Sequence, residues 1–177
     1  MDEIKLCKFI SLILRHQPEI IGIKLDEKGW ANVDELISGI KRKGYNINIE
    51  ILNDIVRNND KQRFTFNEDK TKIRANQGHS IDVDVELEEL VPPDILYHGT
   101  SSKFKESIMK EGIKKQSRNY VHLSQDENKA IMVGKRHGTP FVFRINAKQM
   151  NMDGIKFYQS KNKVWLTDYI DPKYFIN

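Results

Sequence analysis

Residues 81–93 read IDVDVELEELVPP, with five acids in the eight residues from Asp82 to Glu89 and then two adjacent prolines. Carboxylates at this density repel one another and resist burial, and paired prolines continue neither a helix nor a sheet ladder. Whatever precedes the stretch and whatever follows it must each build its own core, so a boundary is expected there, with domains over 1–90 and 91–177. The 177 residues, 38% hydrophobic and 31% charged, suffice for two small globular lobes and do not have the composition of a disordered chain.

The two sides of that boundary differ in charge. Residues 1–90 carry 14 Lys and Arg against 17 Asp and Glu, whereas residues 91–177 carry 15 against 8, so the basic excess lies wholly in the second half. A basic lobe suits a polyanion such as RNA or a pyrophosphate, although a solvated lysine-rich face gives the same count. No apolar run approaches the ~20 residues of a membrane span, and the start, MDEIKLCK, lacks the order of a signal peptide. A cytoplasmic protein without a membrane partner is expected. The single Cys7 lies among Leu6, Phe9 and Ile10 and reads as a core thiol, and five scattered histidines give no zinc spacing, so no metal is expected. Nothing in the pattern demands more than a monomer.

Periodicity then fixes the elements. Ile4, Leu6, Cys7, Phe9, Ile10, Ile13 and Leu14 form one face of a helix over 2–15, which Pro18 stops. NVDELISGIKRKG announces a second helix, with Asn32 as N-cap, Glu35 three residues on and Gly44 as the stop, and a third runs from Asn48 to about Asn58. In RFTFNEDKTKIRA the period falls to two, which is a hairpin turning at 67–69. Three helices and a hairpin predict a winged-helix lobe, a common nucleic-acid binder. Beyond the boundary, ILYH, YVHLS, PFVFRI and KVWLT read as strands. Helices are expected at about 103–111, closed by Gly112, and 125–136, opened by Ser124 with Glu127. The fold class is therefore α+β.

Several residues suggest chemistry, each with a plainer alternative. Arg15 and His16 in LRHQP end a helix, where cations also serve its macrodipole. Arg63 precedes Phe64, on the opposite face from the hydrophobic layer, as an exposed edge arginine would. Arg118, Tyr120 and His122 alternate, which would line them along one face of a strand. In YHGTSSKF, a strand runs into Gly99 before a helix, and glycine there would let backbone amides approach a phosphate at the helix N-terminus.

Taken together, LRHQP, RFTF, YHGT and RNYVHLS occur in an order that resembles the NAD-dependent RNA 2'-phosphotransferase family, and the resemblance covers nearly the whole chain. It implies a C-terminal lobe like that of ADP-ribosyltransferases behind the winged-helix lobe, with an active site in the cleft between them. By motif, the family's catalytic set falls on Arg15, His16, Arg63 and Arg118. Its NAD contacts fall on His98, Gly99, Thr100, Gly112, Ile113 and His122. NAD is implied as co-substrate and an RNA bearing an internal 2'-phosphate, as in tRNA processing, as partner. Two rivals remain at this level. Transferases that modify protein usually place a glutamate near a late strand, and SKNKVWLT has no carboxylate. A non-catalytic winged-helix binder would carry its charge on the third helix, which offers only Arg57.

Overall fold

The computed structural model describes residues 2–176, and they divide into two compact units, one ending at Glu86 and the other beginning at Leu87. The N-terminal unit opens with α1 (Glu3–Arg15), whose N-cap Asp2 accepts a hydrogen bond from the Ile4 amide at 3.0 Å. Leu6, Ile10, Ile13 and Leu14 form its buried stripe, at the i, i+4, i+7, i+8 spacing of a core-facing helix. A 3-10 turn over Pro18–Ile21 follows and ends at Gly22, which has a φ of +73°. The short strand β1 (Ala31–Asn32) leads into α2 (Val33–Arg42), and α3 (Ile49–Asn58) comes next. Asn32 and Asn48 cap these two helices by accepting from the amides of Glu35 and Ile51.

The hairpin is β2 (Phe64–Phe66) and β3 (Lys72–Ala75), in antiparallel register with Phe64 opposite Ala75 and Phe66 opposite Ile73. β1 pairs with the other edge of β3, a third strand that the two-stranded hairpin of the sequence lacked. It escapes periodicity because two residues carry no pattern. Helices and sheet share a single core that includes Ile10, Leu14, Leu36, Leu52, Phe64 and Ile73.

The C-terminal unit contains β4 (Glu88–Glu89), β5 (Ile95–Ser101), α4 (Lys105–Glu111), β6 (Ile113–Lys114), β7 (Val121–Leu123), α5 (Glu127–Lys135) and β8 (Pro140–Asn146). It is completed by α6 (Ala147–Met152), β9 (Tyr158–Gln159), β10 (Trp165–Thr167) and β11 (Tyr169–Ile170). Every ladder is antiparallel: a four-stranded sheet in the order β4-β9-β10-β7, the long pair β5-β8, and the short pair β6-β11. Reciprocal hydrogen bonds between Tyr97 and Ser124, both 2.8 Å, join β5 to the end of β7. The core centres on Phe143, whose ring meets Phe141 at 4.8 Å and Phe175 at 4.7 Å.

Two expectations change. The cap of α5 is Asp126, which accepts from the amides of Asn128 and Lys129. Ser124 instead accepts from the Asp126 amide while its backbone stays in the ladder with Tyr97. And the strand expected over ILYH does not end at His98: β5 continues through Ser101, with Gly99 paired to Val142 and Thr100 to Phe141. Among the described residues no helix is long and apolar enough to cross a membrane.

Burial sets a stability expectation. Leu36 is fully buried in α2 while Ile4 on α1 is 64% exposed. Leu36→Ala should therefore cost about 2–5 kcal/mol of unfolding free energy and Ile4→Ala under about 0.5 kcal/mol, measured by urea denaturation.

Candidate functional site

In the N-terminal unit, three of the residues singled out from the sequence meet a single short segment, 76–80, with the sequence NQGHS. Arg15 closes α1 and His16 is its C-cap, where carbonyls of the last turn lack partners within the helix. The Ser80 amide donates to the Arg15 carbonyl at 3.1 Å, and Ser80 Oγ lies 2.8 Å from His16 Nδ1. Gly78 lies directly against the Arg15 side chain: a Cβ built there would be 3.2–3.4 Å from Arg15 Nε, Cζ and Cδ, and its φ of +93° favours glycine in any case.

The other end of the segment holds Arg63. The Asn76 amide donates to the Arg63 carbonyl at 2.9 Å, and the Asn76 side chain, buried in the core, donates to the carbonyl of Gln62, a residue at a φ of +47°. The guanidinium of Arg63 donates through Nη1 to Asn59 Oδ1, which also accepts from the Arg63 amide, both at 3.3 Å. Asn59 in turn donates to Cys7 Sγ, which gives the thiol a structural place.

Between these anchors lies His79, 3% exposed, with no hydrogen-bond partner for its Nε2. Burial first, and then the charges of Arg15, His16 and Arg74, push its pKa down to about 4, so the ring is neutral at physiological pH. Asn59, Asn76, Gly78, His79 and Ser80 were absent from the candidates. The available signal was the Gly-His-Ser run two residues after a strand; its contacts span up to 65 positions and no local pattern reveals them.

In the C-terminal unit, His98, His122 and Arg118 form a hydrogen-bonded chain. His98 Nδ1 lies 3.0 Å from the His122 carbonyl. A carbonyl only accepts, so this nitrogen carries the proton and a neutral His98 presents Nε2 as an acceptor. Burial lowers the His98 pKa, against the same hydrogen bond, which favours the protonated ring. Arg118 Nη1 lies 2.7 Å from His122 Nδ1. A guanidinium only donates, so His122 Nδ1 accepts and its neutral ring holds the proton on Nε2. The two imidazoles thus have opposite polarity at Nε2. Desolvation lowers the Arg118 pKa from its ordinary value, yet a guanidinium remains charged at any physiological pH. Arg118 itself precedes β7, which begins only at Val121, so the alternation expected over 118–122 does not place it; the reach of its side chain does.

The remaining expected cofactor positions have packing roles. A Cβ on Gly99 would fall 1.7 Å from the Ala130 carbonyl oxygen, so glycine is required by the approach of α5 to β5. Gly112 has a φ of +82° and would clash with the Ile170 carbonyl at 2.3 Å. Ile113 is a core residue and Thr100 is buried, so Ile113 offers a ligand only its backbone. Among the described residues no cluster of His, Cys, Asp or Glu has the arrangement of a metal site.

A family model described as RNA 2'-phosphotransferase, Tpt1 / KptA family matches residues 1–169. Relatives bearing the name "Probable RNA 2'-phosphotransferase" include one from Flavobacterium johnsoniae, 57% identical over 94% of this chain and 92% of its own. Another, from Fusobacterium nucleatum, is 56% identical over 98% of this chain and 97% of its own, and one from Hahella chejuensis is 50% identical over 94% and 90%.

Two measurements check the N-terminal cluster. An unfolded His79 binds a proton near pH 6.5, the folded one only near pH 4. Its contribution to stability is complete above about pH 6.5, falls by up to about 1.4 kcal/mol per pH unit as the pH drops, and levels off near pH 4. The urea midpoint of His79→Gln should therefore lose less than that of the parent across this window. Parallel profiles would contradict a buried neutral ring. Gly78→Ala should cost about 1–3 kcal/mol and displace the Arg15 side chain, visible as a shift of its Nε–H resonance.

Proposed function

Because the chain belongs to the RNA 2'-phosphotransferase, Tpt1 / KptA family, we propose that it moves an internal RNA 2'-phosphate to NAD in two steps. In this reading the three helices and small sheet of the N-terminal unit are a winged-helix lobe that holds the RNA phosphate. The C-terminal unit is an ADP-ribosyltransferase-like lobe that takes NAD. The observation that carries the reading is that Arg63 and the adjacent pair Arg15 and His16, 47 or more positions apart, are tied to the one segment 76–80.

In the first step an oxygen of the RNA 2'-phosphate forms a bond to the nicotinamide-bearing ribose carbon, and the bond from that carbon to the nicotinamide nitrogen breaks, its electron pair leaving with neutral nicotinamide. A phosphate dianion needs no base for this, only orientation. Guanidinium groups supply it, since they bond phosphate oxygens in pairs and stay charged. In the second step the neighbouring ribose 2''-hydroxyl attacks phosphorus and the bond from phosphorus to the RNA 2'-oxygen breaks. One proton leaves the attacking hydroxyl and one reaches the departing oxygen, giving RNA with a 2'-hydroxyl and ADP-ribose 1'',2''-cyclic phosphate. In this reading His16 carries that proton, and Arg15, Arg63 and Arg118 stabilise the charge that grows on the phosphate oxygens.

The C-terminal residues suit NAD as a substrate. A ribose hydroxyl both donates and accepts, and His98 and His122 present one acceptor and one donor, so the pair matches the hydroxyls of a nucleotide sugar. Arg118 fixes the His122 tautomer while remaining cationic for a pyrophosphate or the transferred phosphate. The absence of a carboxylate in 160–167 fits an acceptor that is itself an anion.

The test is incubation with NAD and a defined RNA oligonucleotide bearing an internal 2'-phosphate. The expected products are 2'-hydroxyl RNA, nicotinamide and the cyclic phosphate, with no turnover when NAD is omitted. Arg15→Ala, His16→Ala and Arg63→Ala should each slow the second step about a hundredfold or more, so that ADP-ribosylated RNA phosphate accumulates. Parent-rate turnover by all three variants, or nicotinamide release without phosphate transfer, would overturn the reading.

A further inference from the structure

Ser80 meets the end of α1 twice, through separate atoms. Its amide satisfies the Arg15 carbonyl, which is one of the last-turn acceptors that the helix leaves open. Its hydroxyl is therefore not needed for that cap and lies 2.8 Å from His16 Nδ1. The segment that delivers it is fixed on both sides, by the glycine packed on Arg15 and by Asn76 bonded to the Arg63 and Gln62 carbonyls. We infer that Ser80 is a positioning residue for His16, holding its ring so that Nε2 can both take and give the proton of the second step.

The chemistry of the partner matters. A carbonyl on Nδ1, as His98 has, pins the proton there, and a guanidinium, as His122 has, pins it on the far nitrogen. A hydroxyl does neither. It accepts from Nδ1–H both when Nε2 is a base and when Nε2 has taken the proton, and by rotating it can also donate to Nδ1 in the other neutral tautomer. Through the transfer of a proton to and from Nε2, the Ser80 hydroxyl thus keeps its contact with the His16 ring, and as a neutral group it does not hold that proton on the ring as a carboxylate partner would. An exposed serine at the surface end of a fixed segment supplies this without burying a charge.

The inference rests on the proposed reaction, so its test has one readout that needs neither RNA nor NAD. The nitrogen resonances of the His16 ring are followed in the parent, Ser80→Ala, Ser80→Thr and Ser80→Asp. A carboxylate only accepts, so Ser80→Asp should draw the proton to Nδ1, while Ser80→Thr should match the parent and Ser80→Ala should differ from it. In single-turnover kinetics, Ser80→Ala should slow the second step roughly tenfold, the effect of one lost hydrogen bond, with the first step and the KM for NAD unchanged and Ser80→Thr restoring the rate. Identical ring signals in all four proteins would overturn the contact. Equal slowing of both steps, or Ser80→Thr as slow as Ser80→Ala, would overturn the positioning role. Expected ring signals in a parent that transfers no phosphate would leave the contact standing and refute the proposed reaction instead.

Discussion

The N-terminal unit depends on a hydrogen bond between two backbone atoms 65 residues apart in the chain, from the Ser80 amide to the Arg15 carbonyl. A helix C-terminus leaves carbonyls that need donors, and α1 takes one such donor from the segment that follows β3. That bond anchors the end of 76–80 that lies against α1. From it follow the contact of Gly78 with the Arg15 side chain, the burial of His79 beside two cations and the approach of the Ser80 hydroxyl to His16. The Asn76 end completes the arrangement by holding the backbone of Arg63. Arg15 and His16 thus meet the segment through neutral backbone and hydroxyl contacts, and the neutral form of His79 avoids adding a further positive charge beside them.

The C-terminal unit solves a different problem. Its strands are short, and only β5 and β8 reach seven residues. Much of its order therefore comes from side chains that bridge elements: Trp165 donates to Gln125, Thr167 to the Lys156 carbonyl, and Tyr169 to the Glu111 carbonyl. The chain of Arg118, His122 and His98 belongs to this pattern. Each member is oriented by the next, so that the ring nitrogens acquire a definite polarity without any charged partner on His98.

Local chemistry made the first three helices and the hairpin legible, because Asn32 and Asn48 are caps whose side chains act within three residues and the apolar spacing is regular. The same locality misled elsewhere. Ser124 and Glu127 have the spacing of a capping box, yet Asp126 stands closer to the helix and takes the free amides. Gly99 has the look of a turn glycine, but its cause is a helix 31 residues later. α6, six residues capped by Asn146, is too short to show a period. Of the candidate site, the arginines and histidines stood out by type and motif. The residues that orient them, Asn59, Asn76, Gly78 and Ser80, are ordinary polar or small residues whose part is visible only when distant segments are brought together.

The contact between Gly99 and Ala130 has a consequence for how the joint between β5 and α5 can vary. With a backbone carbonyl seated where any side chain at position 99 would begin, strand and helix are closely joined, and no side chain can be accommodated at that point without moving one of them. Variation around this contact must therefore come through neighbouring side chains, leaving the joint itself as a fixed ruler.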